Sequence, residues 1–158
     1  MAVKVFINGF GRIGRLVLRG IYESGRNDIE VVGINDLGPV ETNAHLLRHD
    51  SVHGKFPHAV TVSGDTIDAG RGPIKVTAVK NPAELPHEAL GVDIALECTG
   101  IFTAKEKASA HLTAGAKRVL AKARKLAAGI EPPEIDALEG VAHEAAAARD
   151  AAVRSSED

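Results

Sequence analysis

The 158-residue sequence has no tryptophan, one tyrosine, four phenylalanines and one cysteine. With Cys98 as the sole thiol, neither an intrachain disulfide nor a cysteine-cluster zinc site can form, which fits a reducing compartment. Neither sign of charge dominates: 19 basic against 21 acidic side chains leave a formal net charge of −2. That balance supplies no field able to hold nucleic acid or an anionic membrane by electrostatics alone, so neither partner is expected. No apolar run approaches the ~20 residues of a membrane-spanning helix. The start, Met1 to Ile7, lacks the basic and apolar regions of a secretion signal. These absences together imply a cytoplasmic chain. What remains is a composition near the globular average, 44% hydrophobic and 25% charged, in a length of about one domain.

The composition changes near Leu120. Residues 1–120 hold all the aromatic residues and most of the β-branched ones, whereas residues 121–158 are rich in alanine and acidic overall. In the front part, short β-forming runs alternate with helical spacing. Val3–Ile7, Glu30–Ile34, Ile74–Val79, Ile94–Glu97 and Arg118–Leu120 read as five main strands. Ile13–Tyr22 reads as a helix stopped at Ser24-Gly25, and Thr42–Leu47 as a shorter one. Ala59–Val62 and Thr66–Asp68, joined by Ser63-Gly64-Asp65, read as a small side hairpin. Pro82–Leu90 reads as a short helix or loop. Thr103–Ala114 reads as one helix, capped by Thr103 with Glu106 three residues on. Strands spaced by helices predict a doubly wound (Rossmann) α/β domain, mostly parallel, with helices on both faces of the sheet.

The strongest local signal is Gly9-Phe10-Gly11-Arg12-Ile13-Gly14, a GxGxxG that directly follows a strand and opens a helix. In that setting each glycine has a separate task. Gly9 lets the chain turn sharply, Gly11 lets the backbone approach a pyrophosphate, and Gly14 lets helix and strand pack closely. The pyrophosphate would meet unpaired N–H groups at the positive end of the helix dipole. Asp36, at the end of the second strand, is placed to accept hydrogen bonds from the two hydroxyls of an adenosine ribose. Its charge would repel a 2′-phosphate, so NAD is expected rather than NADP. The alternative reading is a tight glycine turn with Asp36 capping a neighbouring segment.

These residues resemble the phosphorylating glyceraldehyde-3-phosphate dehydrogenases. The resemblance runs through Val3 to Arg15, then Ile34-Asn35-Asp36-Leu37 and His49-Asp50-Ser51-Val52-His53-Gly54. It continues through Asn81-Pro82, Glu97-Cys98-Thr99-Gly100-Ile101-Phe102-Thr103, and Ala114-Gly115-Ala116-Lys117-Arg118-Val119-Leu120. It implies an NAD-binding glycolytic oxidoreductase. Under it, the backbones of Arg12 and Ile13 meet the pyrophosphate, with Asn35 and Asp36 beside the adenosine ribose. Lys80 stands beside the adenine, where the family usually has arginine, and lysine cannot stack as a planar guanidinium does. Thr99, Gly100 and Phe102 resemble a strand-end turn along the nicotinamide side. Erythrose-4-phosphate dehydrogenases share much of this pattern.

The resemblance also implies a catalytic cysteine, a histidine base and phosphate-binding residues in a second domain, which the match does not reach. No catalytic residue is therefore assigned. Cys98 reads as a small buried hydrophobe at the end of a cofactor-domain strand rather than a nucleophile. His45, His49, His53 and His58 match no strong zinc spacing, so no metal site is expected. Lys122 stands where the family has a serine near the nicotinamide end.

Residues 121–158 read as a helical tail on the same structural domain. Ala121–Ala128 has helix-forming composition, and Glu134–Val153 reads as a helix whose Ile135, Leu138 and Val141 form an apolar stripe. That stripe predicts packing on the domain, or self-association through the tail or through the exposed former domain interface. Three readings follow. One is an NAD-binding domain inactive alone, another an engineered or truncated scaffold with an incidental cofactor site, and the third a dehydrogenase completed by a partner chain.

Overall fold

The computed structural model of the chain describes residues 2–102 and 105–121. The Thr103 cap, the segment that continues from Ala121 and the helix expected over 134–153 lie outside the described residues.

The alternation in the sequence becomes an alternation of strands and helices. β1 (Val3–Asn8), α1 (Arg12–Glu23) and β2 (Ile29–Asn35) form the first crossover unit, followed by α2 (Val40–Arg48). Two short strands, β3 (His49–Asp50) and β4 (Gly54–Lys55), pair as a separate antiparallel ribbon that the sequence did not signal. The hairpin β5 (Thr61–Ser63) and β6 (Thr66–Asp68) leads into β7 (Pro73–Thr77). A 3-10 turn (Pro82–Glu84), α3 (His87–Leu90), β8 (Ile94–Glu97), α4 (Lys105–Ala108), α5 (Ala110–Thr113) and β9 (Arg118–Ala121) complete the order.

The main sheet has seven strands in the order β5-β6-β7-β2-β1-β8-β9. The five expected strands are parallel to one another. The side hairpin is not apart from them: β6 pairs antiparallel with β7 and carries the sheet outward. Along the sheet the order runs from β1 through β2 to β7 in one direction and from β1 through β8 to β9 in the other. A crevice opens at the carboxyl ends of the strands where such an order reverses.

Side chains alternate across β1. Val5 and Ile7 enter the larger core with Leu18 and Ile21 of α1 and Ala44 and Leu47 of α2, while Phe6 enters a second cluster with Leu85, Val92, Ala95 and Ala116. The two faces are thus both covered, as a parallel sheet requires. Val5 pairs with Val31 but Phe6 pairs with Gly33, so Val32 is an extra residue in β2. A Cβ on Gly33 would stand 2.4 Å from the Phe6 ring, which therefore lies on bare backbone.

Two local outcomes differ from the sequence reading, and a third concerns a residue it did not treat. The helix expected over 103–114 is broken at Ser109, whose hydroxyl donates to the Glu106 carbonyl at 2.6 Å and so competes with continued helical bonding. β7 stops at Thr77 rather than Val79 because the Val79 amide and the Thr77 hydroxyl turn to the Asn35 side chain. Arg19, on the buried face of α1, is 1% exposed. Its guanidinium donates to the carbonyls of Leu47 at 2.7 Å and Gly54 at 2.9 Å, which is how a buried cation escapes its desolvation cost.

Candidate functional site

The crevice is a groove of about 480 Å³ across the carboxyl ends of β1, β2 and β8. The glycine loop leaves β1 on one side of it. Gly9 has φ of +90°, and a Cβ there would stand 2.7 Å from the Thr99 amide nitrogen, so the turn and the close approach to the β8 end both need glycine. Gly14 is packed differently: its Cβ would stand 2.2 Å from the Gly9 carbonyl oxygen and 3.0 Å from Ile7. Gly14 thereby seats α1 against β1. At Gly11 a Cβ would meet nothing within 4 Å, so what Gly11 provides is open space at the N-terminus of α1. No side chain caps that terminus and its first turn holds no acidic residue, so its dipole and N–H groups remain available to an anion.

Asp36 faces this loop. Its Oδ2 accepts from the Phe10 amide at 2.9 Å and its Oδ1 from the Gly38 amide at 2.8 Å. Each carboxylate oxygen can accept more than one hydrogen bond, so the side chain is oriented without being exhausted. Arg15 ties down the other side of the loop, donating from Nη1 to the Phe10 carbonyl at 2.9 Å. Of the residues singled out in the sequence, Gly9, Gly11, Asn35, Asp36, Lys80, Thr99 and Phe102 line the groove. Arg12 and Ile13 stand in the first turn of α1, Gly14 lies buried behind the loop, and Gly100 lies in the turn after Thr99 with φ of +76°. The donor set matches a dinucleotide: amides and a helix terminus for an anionic centre, and a carboxylate for a diol at one end.

The family model described as the glyceraldehyde 3-phosphate dehydrogenase NAD binding domain matches residues 3–105. The chain belongs to this family. NAD is the cofactor of this domain. Glyceraldehyde-3-phosphate dehydrogenase of Xanthobacter flavus is 71% identical over 144 residues, 91% of the chain and 42% of the relative. The protein of that name from Cereibacter sphaeroides is 73% identical over 123 residues, 78% of the chain and 36% of the relative. The chromosomal one of Cupriavidus necator is 60% identical over 124 residues, 78% and 37%. The chain thus spans about two-fifths of the length of these curated relatives, and its likeness to the Xanthobacter protein reaches past residue 120.

Within this NAD-binding domain, several groove residues were not anticipated as such: Asn8, Leu37, Val79, Cys98 and Ile101 also line it. The signal for Asn8 was present, since a polar residue closes an apolar strand at the groove. Cys98 is half-buried rather than fully buried, packed against the larger core and bordering the groove. His45 and His49 lie ring against ring, 5.1 Å apart between centroids, and His58 lies against Phe56. Among the described residues no three His, Cys, Asp or Glu side chains cluster as metal ligands would. The sequence reading passed over His87 and His111, both fully buried and joined Nε2 to Nδ1 at 2.8 Å. Burial, with His111 beside it, pushes His87 down to about 4. Among the described residues no helix is long and apolar enough to cross a membrane.

Proposed function

We propose that this chain binds NAD in the groove, with the pyrophosphate over Gly11 and the amides of Arg12 and Ile13 and the adenosine ribose on Asp36. The observation that carries this reading is the open space at Gly11, bounded by an uncapped helix terminus on one side and an oriented carboxylate on the other. Asn35, buried beneath the acid, and Lys80, exposed at the rim, flank the adenosine half. Thr99, Gly100 and Phe102 flank the nicotinamide half. When bound, NAD supplies hydride transfer; the chain's own residues bind and orient it. Every residue given a role lies within 9–102, which supports placing the whole cofactor site in residues 1–120.

A nucleophile and a base must be oriented at the reacting carbon before bound NAD gives a useful rate. Cys98 directly follows β8 with its amide bonded to the Asn8 carbonyl at 2.8 Å, as part of the cofactor-side wall. These 158 residues are therefore read as a cofactor-binding domain without aldehyde oxidation of their own. A cytoplasmic location fits the single half-buried thiol. Leu37 and Ile101, 62% and 68% exposed, give the groove an apolar rim.

Isothermal titration tests the reading. NAD is expected to release heat on binding, NADP to bind at least about tenfold more weakly because Asp36 repels its 2′-phosphate, and Asp36→Ala to weaken NAD while narrowing that difference. Equal affinity for NAD and NADP, or an Asp36→Ala variant that binds as well as the parent, would contradict it.

A further inference from the structure

Four neighbouring strands end in polar side chains that stand in one row. Asn35 pairs in register with Thr77 of β7, Asn8 with Asn35, and Asn8 with Glu97 of β8. Asn8, Asn35 and Glu97 are buried, 2%, 5% and 2% exposed, and such groups are costly unless fully hydrogen-bonded. The direction of each bond is fixed by backbone groups at the row's ends. The Val79 amide can only donate, and it donates to Asn35 Oδ1 at 2.8 Å; the Val79 carbonyl can only accept, and it accepts from Asn35 Nδ2 at 2.9 Å. Asn35 Nδ2 therefore also donates to Asn8 Oδ1 at 2.8 Å, leaving Asn8 Nδ2 to donate to Glu97 Oε2 at 2.8 Å. Glu97 Oε2 takes a second bond from His111 Nε2 at 2.6 Å. Its Oε1 accepts from the Thr99 amide at 3.1 Å and from the Thr99 hydroxyl.

We infer that Glu97 is a positioning residue: its carboxylate completes a buried polar bridge under the groove that ties the backbone of one wall, at Val79, to that of the other, at Thr99. The inference rests on the reading of the groove as an NAD site. Both tethered residues line the groove, as do Asn8 and Asn35 between them. Four donors converge on Glu97, two on each oxygen, and only an ionised carboxylate accepts at both. Burial alone would raise its pKa, but the bonds from His111, Thr99 and Asn8 outweigh burial and hold it below the usual value. A glutamine of the same shape must turn an NH2 group toward a group that can only donate, either the Thr99 amide or Asn8 Nδ2. The bridge then opens at one end, and the two halves of a dinucleotide lose their fixed spacing while the adenosine half keeps Asp36.

The test compares NAD with AMP, which occupies the adenosine half alone, on the folded full chain. Glu97→Gln is expected to weaken NAD about tenfold, the effect of roughly one such bond, and to leave AMP within about twofold. In the free protein, the Val79 amide resonance is expected to move although Val79 lies three strands from the substitution. Glu97→Asp, which keeps the charge but draws the carboxylate back from Asn8 and Thr99, serves the same comparison if Glu97→Gln does not fold. A role in stability alone would shift both affinities together or neither, so an unchanged NAD-to-AMP ratio overturns the inference. A stationary Val79 resonance also overturns it. Failure of the parent chain to bind NAD would instead sink the cofactor reading, and the Val79 resonance would still decide whether the bridge exists.

Discussion

Gly11 and Gly14 stand three residues apart in one loop and differ in what a methyl group would meet there. At Gly14 a Cβ would sit 2.2 Å from the Gly9 carbonyl oxygen, inside any permissible separation. Gly14→Ala is expected to lower stability by about 3 kcal/mol, the cost of forcing atoms into a filled space, as read from a denaturant midpoint. At Gly11 the φ of −73° suits alanine and the space is open. Gly11→Ala is expected to change stability by less than about 1 kcal/mol while weakening NAD at least about tenfold, because the proposed site brings the pyrophosphate to where the added methyl would stand. Equal losses of stability in the two variants would remove the distinction between a packing glycine and a binding one. The sequence disclosed both positions because the motif names them by spacing. It disclosed Asn8 and Glu97 only as polar ends of apolar runs, since what they do depends on the register between strands far apart in the chain.

At the scale of elements, α3 and α5 meet through His87 and His111, and this contact is expected to make the domain acid-sensitive. His87 holds its proton only below about 4 in the folded chain, against 6.5 for an ordinary histidine. Between those values the unfolded chain binds a proton that the folded chain refuses, so stability rises with pH through that window and falls as pH drops from 6.5 toward 4. The full loss from this group is on the order of 3 kcal/mol. Glu97 adds to it at lower pH: its lowered value gives stability present above the unfolded carboxylate range and lost as pH falls through the folded one. His87→Leu is expected to flatten the dependence of Tm on pH between 6.5 and 4; an unchanged slope would place the acid sensitivity elsewhere. Elements with strong periodicity, such as α1 and the five parallel strands, were legible to within a residue or two. The break at Ser109 was not, because one hydroxyl bonding to the Glu106 carbonyl decides it. The joining of β6 to β7 was not either, since strand pairing is a tertiary choice that the hairpin's own pattern does not encode.

For the whole molecule, the strand order places the reversal of direction, the glycine loop and Asp36 at the carboxyl ends of the central strands, and the family match covers residues 3–105 of that same unit. A second hollow of about 310 Å³ lies apart from the groove, bordered by Ala2, Tyr22, Glu30, Arg71 and Pro73. There Arg71 lies over the Tyr22 ring, 4.6 Å from its centre, and donates to the carbonyls of Arg26, Ile21 and Tyr22. Its guanidinium is thus committed to closing the end of α1, which makes this hollow an internal control for the groove. The most direct measurement is a titration of the isotope-labelled chain with NAD, following backbone amide resonances. Progressive shifts at Gly9, Gly11, Arg12, Ile13, Asp36 and Thr99, with Tyr22, Arg71 and Gly72 unmoved, are the predicted result. Shifts confined to the Tyr22–Arg71 hollow, or a spectrum unaltered at millimolar NAD, would contradict the account.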